Sequence, residues 1–202
     1  MRMGKDDLFK KRKASSLKQR RIETKNERES LWIICEGKSE RNYLENLYPK
    51  KFRFHFSACL GAIKSKIAEE SEAKTIFVLL DGDIHKDRDI ENFRDYCKAY
   101  ANTTVIVNSP CFEYWLLLHF EETTKPFIGN NQGKTKGSEC VRYFKDILKK
   151  SGYTYKKGFL DKKLLQTLQE SQQQALIRAK KTNKDTGSYT EMYRLFEGLK
   201  TP

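Results

Sequence analysis

L-W-I-I-C-E-G-K-S-E, residues 31–40, decides how the rest of the chain is read. Five consecutive apolar residues are what a strand buried on both faces requires, and such strands belong to parallel sheets covered by helices. An acid and a glycine follow at once. The strand is therefore expected to end at Cys35, turn at Gly37 and enter a helix over 39–47, with Tyr43, Leu44 and Leu47 as its buried stripe.

The same grammar returns at T-I-F-V-L-L-D-G-D, residues 75–83, where the pattern predicts a strand over 75–80. Between the two, Phe52, Phe54 and Phe56 alternate with Arg53 and His55, the period of a half-buried strand, and Ile63 and Ile67 mark a helix. Beyond them, Ile90, Phe93, Cys97 and Tyr100 share a helical face, and residues 103–107 form a β-branched strand. Strands alternating with helices give an α/β fold, a mostly parallel sheet flanked by helices on both sides with right-handed crossovers.

Ligands of such sheets bind beyond the carboxyl ends of the strands. Glu36 leaves the first strand and Asp81 and Asp83 leave the third, so folding is expected to bring together three acids that lie up to 47 residues apart. Hard oxygen donors on strand ends suit Mg²⁺, or Mn²⁺ in its place, and the ion relieves the repulsion of clustered carboxylates. Each motif alone has an ordinary reading, a solvated turn for D-G-D and a helix-start charge for Glu36. Their matched positions favour the metal.

Residues 108–120, N-S-P-C-F-E-Y-W-L-L-L-H-F, predict a strand end at Pro110 followed by a helix buried nearly all round. Glu113 is the anomaly in that run, since a buried carboxylate must be paired, protonated or bound to a cation. It is the candidate fourth acid. Lys38, beside Glu36, is the candidate cation for charge developing on phosphate, and His119 reads as a helix-end residue.

The chain has 202 residues and a net charge of +13, with segment charges of +7 over 1–28, −4 over 29–122 and +10 over 123–202. An acidic block between basic arms is what a metal-dependent enzyme acting on a polyanion needs, and it points to DNA or RNA as partner. The organisation expected is a basic disordered or weakly helical arm over 1–28, an α/β catalytic core over 29–122, and a basic helical extension over 123–202. No apolar run is long enough to span a bilayer, no membrane partner is expected, and five scattered cysteines without a C-x-x-C pair fit a reducing cytoplasm.

Residues 121–137 read as a loop. Its G-N-N-Q-G-K-T-K is one residue short of a phosphate-binding loop and follows no buried strand, which excludes an ATPase assignment. The remainder reads as helices built on Val141, Phe144 and Leu148, on Leu164, Leu165 and Leu168, on Ala175, Leu176 and Ala179, and on Met192, Tyr193, Phe196 and Leu199. The last is expected to start with a capping box from Ser188 to Glu191, and the helices to cover one edge of the sheet. Lys156, Lys157, Arg178, Lys180, Lys181 and Lys184 are candidates for a phosphate path.

The motifs C-E-G-K-S-E, D-G-D after an apolar strand, and N-S-P-C-F-E-Y-W-L-L-L-H-F together resemble the RloB-like family of bacterial proteins over about residues 30–200. The resemblance implies a Toprim-like fold, in which a glutamate after the first strand and a D-x-D after the third hold Mg²⁺ around a scissile phosphate. Those residues are Glu36, Asp81 and Asp83. It also implies a phage-defence nuclease working with a separate ABC- or AAA-type ATPase. A non-catalytic nucleic-acid-binding or sensor subunit of such a complex is the alternative, and nucleotidyl transfer ranks third.

Overall fold

A computed structural model describes residues 30–130 and 133–200. The expected basic arm over 1–28 lies outside the described residues. Five strands form one sheet in the order β2-β1-β3-β4-β5: β1 (Leu31–Cys35), β2 (Phe52–Phe56), β3 (Thr75–Asp81), β4 (Thr103–Ser109) and β5 (Tyr189–Thr190). The first four are parallel, and β5 pairs antiparallel with Asn108 and Ser109 of β4. Strands β3 and β4 run one and two residues further than their apolar runs, because Asp81 pairs with Asn108 and Ser109 with Tyr189.

Helix α1 (Lys38–Leu47) connects β1 to β2, α2 (Leu60–Glu69) returns from β2 to β3, and α3 (Asp87–Cys97) joins β3 to β4. The first connection runs outward in one direction and the next two in the other, so right-handed crossovers must place α1 on one face and α2 and α3 on the opposite one. The cores agree. Tyr43 and Leu44 of α1 pack with Ile33, Cys35, Phe77 and Leu79, whereas Ile63, Ile67, Ile90 and Phe93 pack with Trp32, Ile34, Val78 and Leu80. This reversal leaves a crevice between the carboxyl ends of β1 and β3, where doubly wound sheets bind ligands.

Five further helices follow: α4 (Phe112–Leu117), α5 (Lys136–Lys150), α6 (Lys162–Glu170), α7 (Gln172–Lys180) and α8 (Met192–Gly198). Every residue of α4 is buried, as its sequence predicts. The expectation that the carboxyl-terminal helices cover an edge is corrected. Phe144, Leu148, Leu164, Leu168, Ala175 and Phe196 join the α1 face in one core, because their apolar stripes are wide enough to need a sheet face rather than an edge. The edge of β4 is met instead by β5, a strand in a segment read as wholly helical.

The expected capping box is likewise absent. Ser188 Oγ donates to Lys125 O, and Glu191 Oε2 accepts from Val107 N and from Arg94, so tertiary partners outbid the local cap. None of the helices among the described residues is long and apolar enough to cross a membrane.

Candidate active site

Glu36 is the first residue past β1 and Asp81 the last of β3. Because the two strands are neighbours in register, the Glu36 carboxylate reaches the next strand, and Asp81 N donates to its Oε1 at 3.3 Å. His85 Nε2 lies 2.8 Å from the same oxygen. The other oxygen, Oε2, is buried without a hydrogen-bond partner, as is Oδ1 of Asp81.

Glu113 is fully buried at the start of α4, directly under this corner. Its Oε1 accepts from Tyr155 Oη at 2.7 Å and from Ser39 Oγ at 3.5 Å, while Oε2 has no partner. Glu40, one turn into α1, is 3% exposed and completes an inner set of four acids.

Burial dominates the electrostatics of Glu36, Glu40 and Asp81. It pushes Glu36 up to about 8, with the charges of Glu40 and Asp83 adding to it against the pull of the Asp81 amide and Lys157. Burial also lifts Glu40 to about 7, with Glu113 reinforcing the shift while backbone amides and Lys157 oppose it. Asp81 is raised well above the usual carboxylate range by burial and then by Glu40, Glu36, Glu113 and Asp83. Clustered carboxylates in a dry pocket hold protons more tightly because charge there is neither solvated nor neutralised.

Lys157 faces this set from the turn after α5. Burial works against its charge, yet Glu113, Cys111, Asp81 and Glu40 outweigh it and raise its pKa.

Asp83 stands slightly apart. Thr135, the N-cap of α5, donates from Oγ1 to its Oδ2 at 3.3 Å, and a Cβ added to Gly137 would lie 2.1 Å from that oxygen. Only glycine leaves room for the aspartate against this first turn. Among the described residues, no three His, Cys, Asp or Glu side chains form a ready-made cage for a metal ion. Glu36 is drawn toward His85, and Asp83 toward Thr135.

A family model for the RloB-like protein matches residues 31–199, the whole span from β1 to α8. The chain belongs to the RloB-like family. No curated protein and no solved structure matches it.

In this RloB-like chain the sequence-derived candidates divide into two groups. Glu36, Asp81, Glu113 and Lys157 act on one another electrostatically, and Asp83 borders them. Lys38 opens α1 exposed, with its Cβ 3.3 Å from where a Cβ on Gly158 would stand. Lys156 begins the same turn.

Arg178, Lys180 and Lys181 belong elsewhere: Arg178 donates to Leu118 O at 2.8 Å, Lys180 pairs with Glu197 at 2.5 Å and Lys181 with Glu122 at 2.8 Å. Their partners lie outside the acidic set. Lys184 pairs with Asp87 and Glu91.

Two residues of the corner were not singled out from the sequence. Glu40 carried a usable signal, because it extends the stripe of Tyr43, Leu44 and Leu47 by one turn and so occupies an apolar position. His85 carried none, since a histidine in a turn has no period to break. His119 is buried just past α4, where Nε2 lies 3.1 Å from Tyr43 Oη and Nδ1 lies 3.0 Å from Trp115 O, a packing role.

Proposed function

We propose that this chain is a divalent-metal-dependent nuclease that hydrolyses phosphodiester bonds in DNA or RNA, with Glu36, Asp81 and Glu113 at its centre. The observation that carries the reading is three buried carboxylate oxygens without partners, Glu36 Oε2, Asp81 Oδ1 and Glu113 Oε2, at the crevice of a parallel sheet. Leaving such atoms unpaired costs about 1–3 kcal/mol each or more, so three in one corner suit a shared cation.

The donor set suits Mg²⁺ or Mn²⁺, which take oxygen ligands and need only one or two carboxylates when waters and phosphate complete the shell. Asp81 with Glu36 and Asp83 would hold it, and Glu113 or Glu40 would hold a second. A bound ion supplies a Lewis acid for the phosphoryl oxygen and a water of lowered pKa.

The chain's own groups do the rest. Glu36 would face the ion with Oε2, its unpartnered oxygen, while His85 orients it through Oε1. Lys157 and Lys38 place positive charge where a phosphate must sit against acids that would otherwise repel it. The family resemblance further supports a Toprim-like phage-defence role alongside an ATPase subunit, and the chain's composition supports a cytoplasmic setting.

Incubation of the purified protein with plasmid DNA and tRNA in Mg²⁺ or Mn²⁺ tests this. Divalent-dependent cutting lost in Asp81→Ala and in Glu36→Ala is expected; cutting that survives both would overturn it. A second reading, nucleic-acid binding without hydrolysis, is favoured by the contacts that already occupy Glu36 and Asp83. It predicts full binding and no cutting even with the ATPase present.

A further inference from the structure

Phe56, Ile84, Ile128, Phe159 and Ile177 stand exposed among the described residues. Three of them neighbour the acidic corner in sequence or in strand register. Phe56 is the register partner of Cys35, one residue before Glu36, Ile84 lies between Asp83 and His85, and Phe159 follows Lys157 by two residues. Apolar residues scattered singly over a surface need no explanation, but several beside one acidic corner do.

Phe159 is held in place. Lys157 and Gly158 form a two-residue turn, with Gly158 at φ +80° and Phe159 N donating to Lys156 O at 2.9 Å. Buried Tyr155 and Leu160 anchor its two ends. The tip is fastened to α1, since Gly158 N donates to Ser39 Oγ at 3.1 Å and the Asn42 side chain donates to Gly158 O. A ring 61% exposed on a turn whose backbone is already ordered leaves only its own side-chain freedom to be lost, which favours a ligand that covers it.

Cations interleave with the rings. Lys38, Lys156 and Lys157 are exposed beside Phe159, and Arg41, which pairs with Glu45, lies 6.0 Å from the Phe56 ring centre. Rings for flat apolar faces and cations for phosphates, next to acids, match the chemistry of an unpaired nucleotide.

We propose that Phe159, with Phe56 as a second ring, is a stacking platform for an unpaired nucleobase, so that the pocket takes single-stranded or locally unstacked nucleic acid. This rests on the nucleic-acid reading above and names its substrate class. A base inside a duplex has both faces covered by its neighbours and offers the ring nothing, whereas a splayed base offers a free π face while Lys157 meets its phosphate.

The test is binding of the full chain to a fluorescein-labelled 12-nucleotide single strand and to the matched duplex, in EDTA at fixed salt. Phe159→Ala should weaken single-strand binding roughly 5- to 100-fold, Phe159→Trp should retain it, and duplex binding should move less than about twofold. Lys157→Ala should weaken both.

Equal loss on both substrates, no loss on either, or no single-strand binding by the parent chain would each overturn the proposal. So would a Phe159→Ala effect confined to self-association in sedimentation, which would reassign the rim to a protein contact. Because no cutting is involved, failure of the nuclease reading would show separately, as Phe159-dependent binding in a protein that never cleaves.

Discussion

Glu36 Oε1 lies 2.8 Å from His85 Nε2 in a corner where 4% and 9% of the two side chains remain exposed. Burial pushes the carboxyl up to about 8 and the imidazole below its ordinary value, with Asp89 only partly opposing the latter. Near neutral pH the contact is therefore a hydrogen bond between largely uncharged groups rather than an ion pair.

That state has a measurable cost. Glu36, Glu40 and Asp81 all have pKa values raised above those of the unfolded chain, so their contribution to stability is fully present below about 4.5 and is lost as pH rises toward 8. Metal-free protein should lose stability between pH 5 and 8 through this cluster. Glu36→Gln or Asp81→Asn should recover on the order of 1–3 kcal/mol at pH 8 and little at pH 5. Mg²⁺ should raise the Tm of the parent chain at pH 8 and raise that of Asp81→Asn much less. Melting curves in EDTA and in Mg²⁺ decide it, and a pH-independent effect of either substitution would contradict the shifts.

His119 works in the opposite sense. Burial lowers its pKa to about 3, despite a hydrogen bond at Trp115 O. A folded-state value below the unfolded one means that its stability is present above about 6.5 and is lost as pH falls toward 3, by up to about 1.4 kcal/mol per pH unit. The three raised carboxyls gain stability over part of the same range and outweigh the single imidazole until pH approaches their unfolded values, so these groups together should make the metal-free protein most stable at about pH 4. His119→Gln should flatten the acid limb of that profile while lowering its maximum, because Tyr43 Oη loses its 3.1 Å partner.

The approach of Gly137 to Asp83 makes a third test. A methyl group at residue 137 would meet Asp83 Oδ2 at 2.1 Å and its Cγ at 2.8 Å, so the aspartate or the first turn of α5 must shift. Gly137→Ala should cost about 1–3 kcal/mol of stability and lower any nuclease rate roughly tenfold to hundredfold through misplacement of Asp83. In an Asp83→Ala background the stability cost should shrink, and a double-mutant cycle by denaturant melts measures the coupling. Additive effects would show that the two residues do not press on each other.

What could be read from the sequence was what repeats. Apolar runs and alternation located β1 to β4 and the faces of their helices, because burial on both sides of a sheet leaves an uninterrupted hydrophobic record. Glu36, Asp81 and Glu113 were legible for the complementary reason: each is an acid where the local pattern demands an apolar residue or a strand terminus. β5 is two residues long and has no period, and its pairing is fixed by Thr190 donating to Asn108 Oδ1 at 2.6 Å across 82 residues. The neighbours of Arg178, Lys180 and Lys181, a carbonyl and two acids, were also illegible, because they depend on tertiary contacts that spacing does not encode.

Tyr155 ties the turn carrying Lys157 and Phe159 to the acidic corner. Its hydroxyl donates to Glu113 Oε1 at 2.7 Å and lies 3.2 Å from Ser39 Oγ, and burial together with the Glu113 charge keeps it protonated and hence a firm donor. Removing that oxygen would leave Glu113 Oε1 with only the 3.5 Å contact to Ser39. Tyr155→Phe should therefore cost about 1–3 kcal/mol, the penalty of an under-satisfied buried acceptor, although the ring still packs against Phe144. In Glu113→Gln the acceptor persists but its charge is gone, so adding Tyr155→Phe there should cost about half as much, since hydrogen bonds to charged groups are about twice as strong as neutral ones. Urea melts of the two single variants and the double variant measure this. Equal penalties in both backgrounds would mean that Tyr155 serves the packing of its loop and does not hold the Glu113 carboxylate.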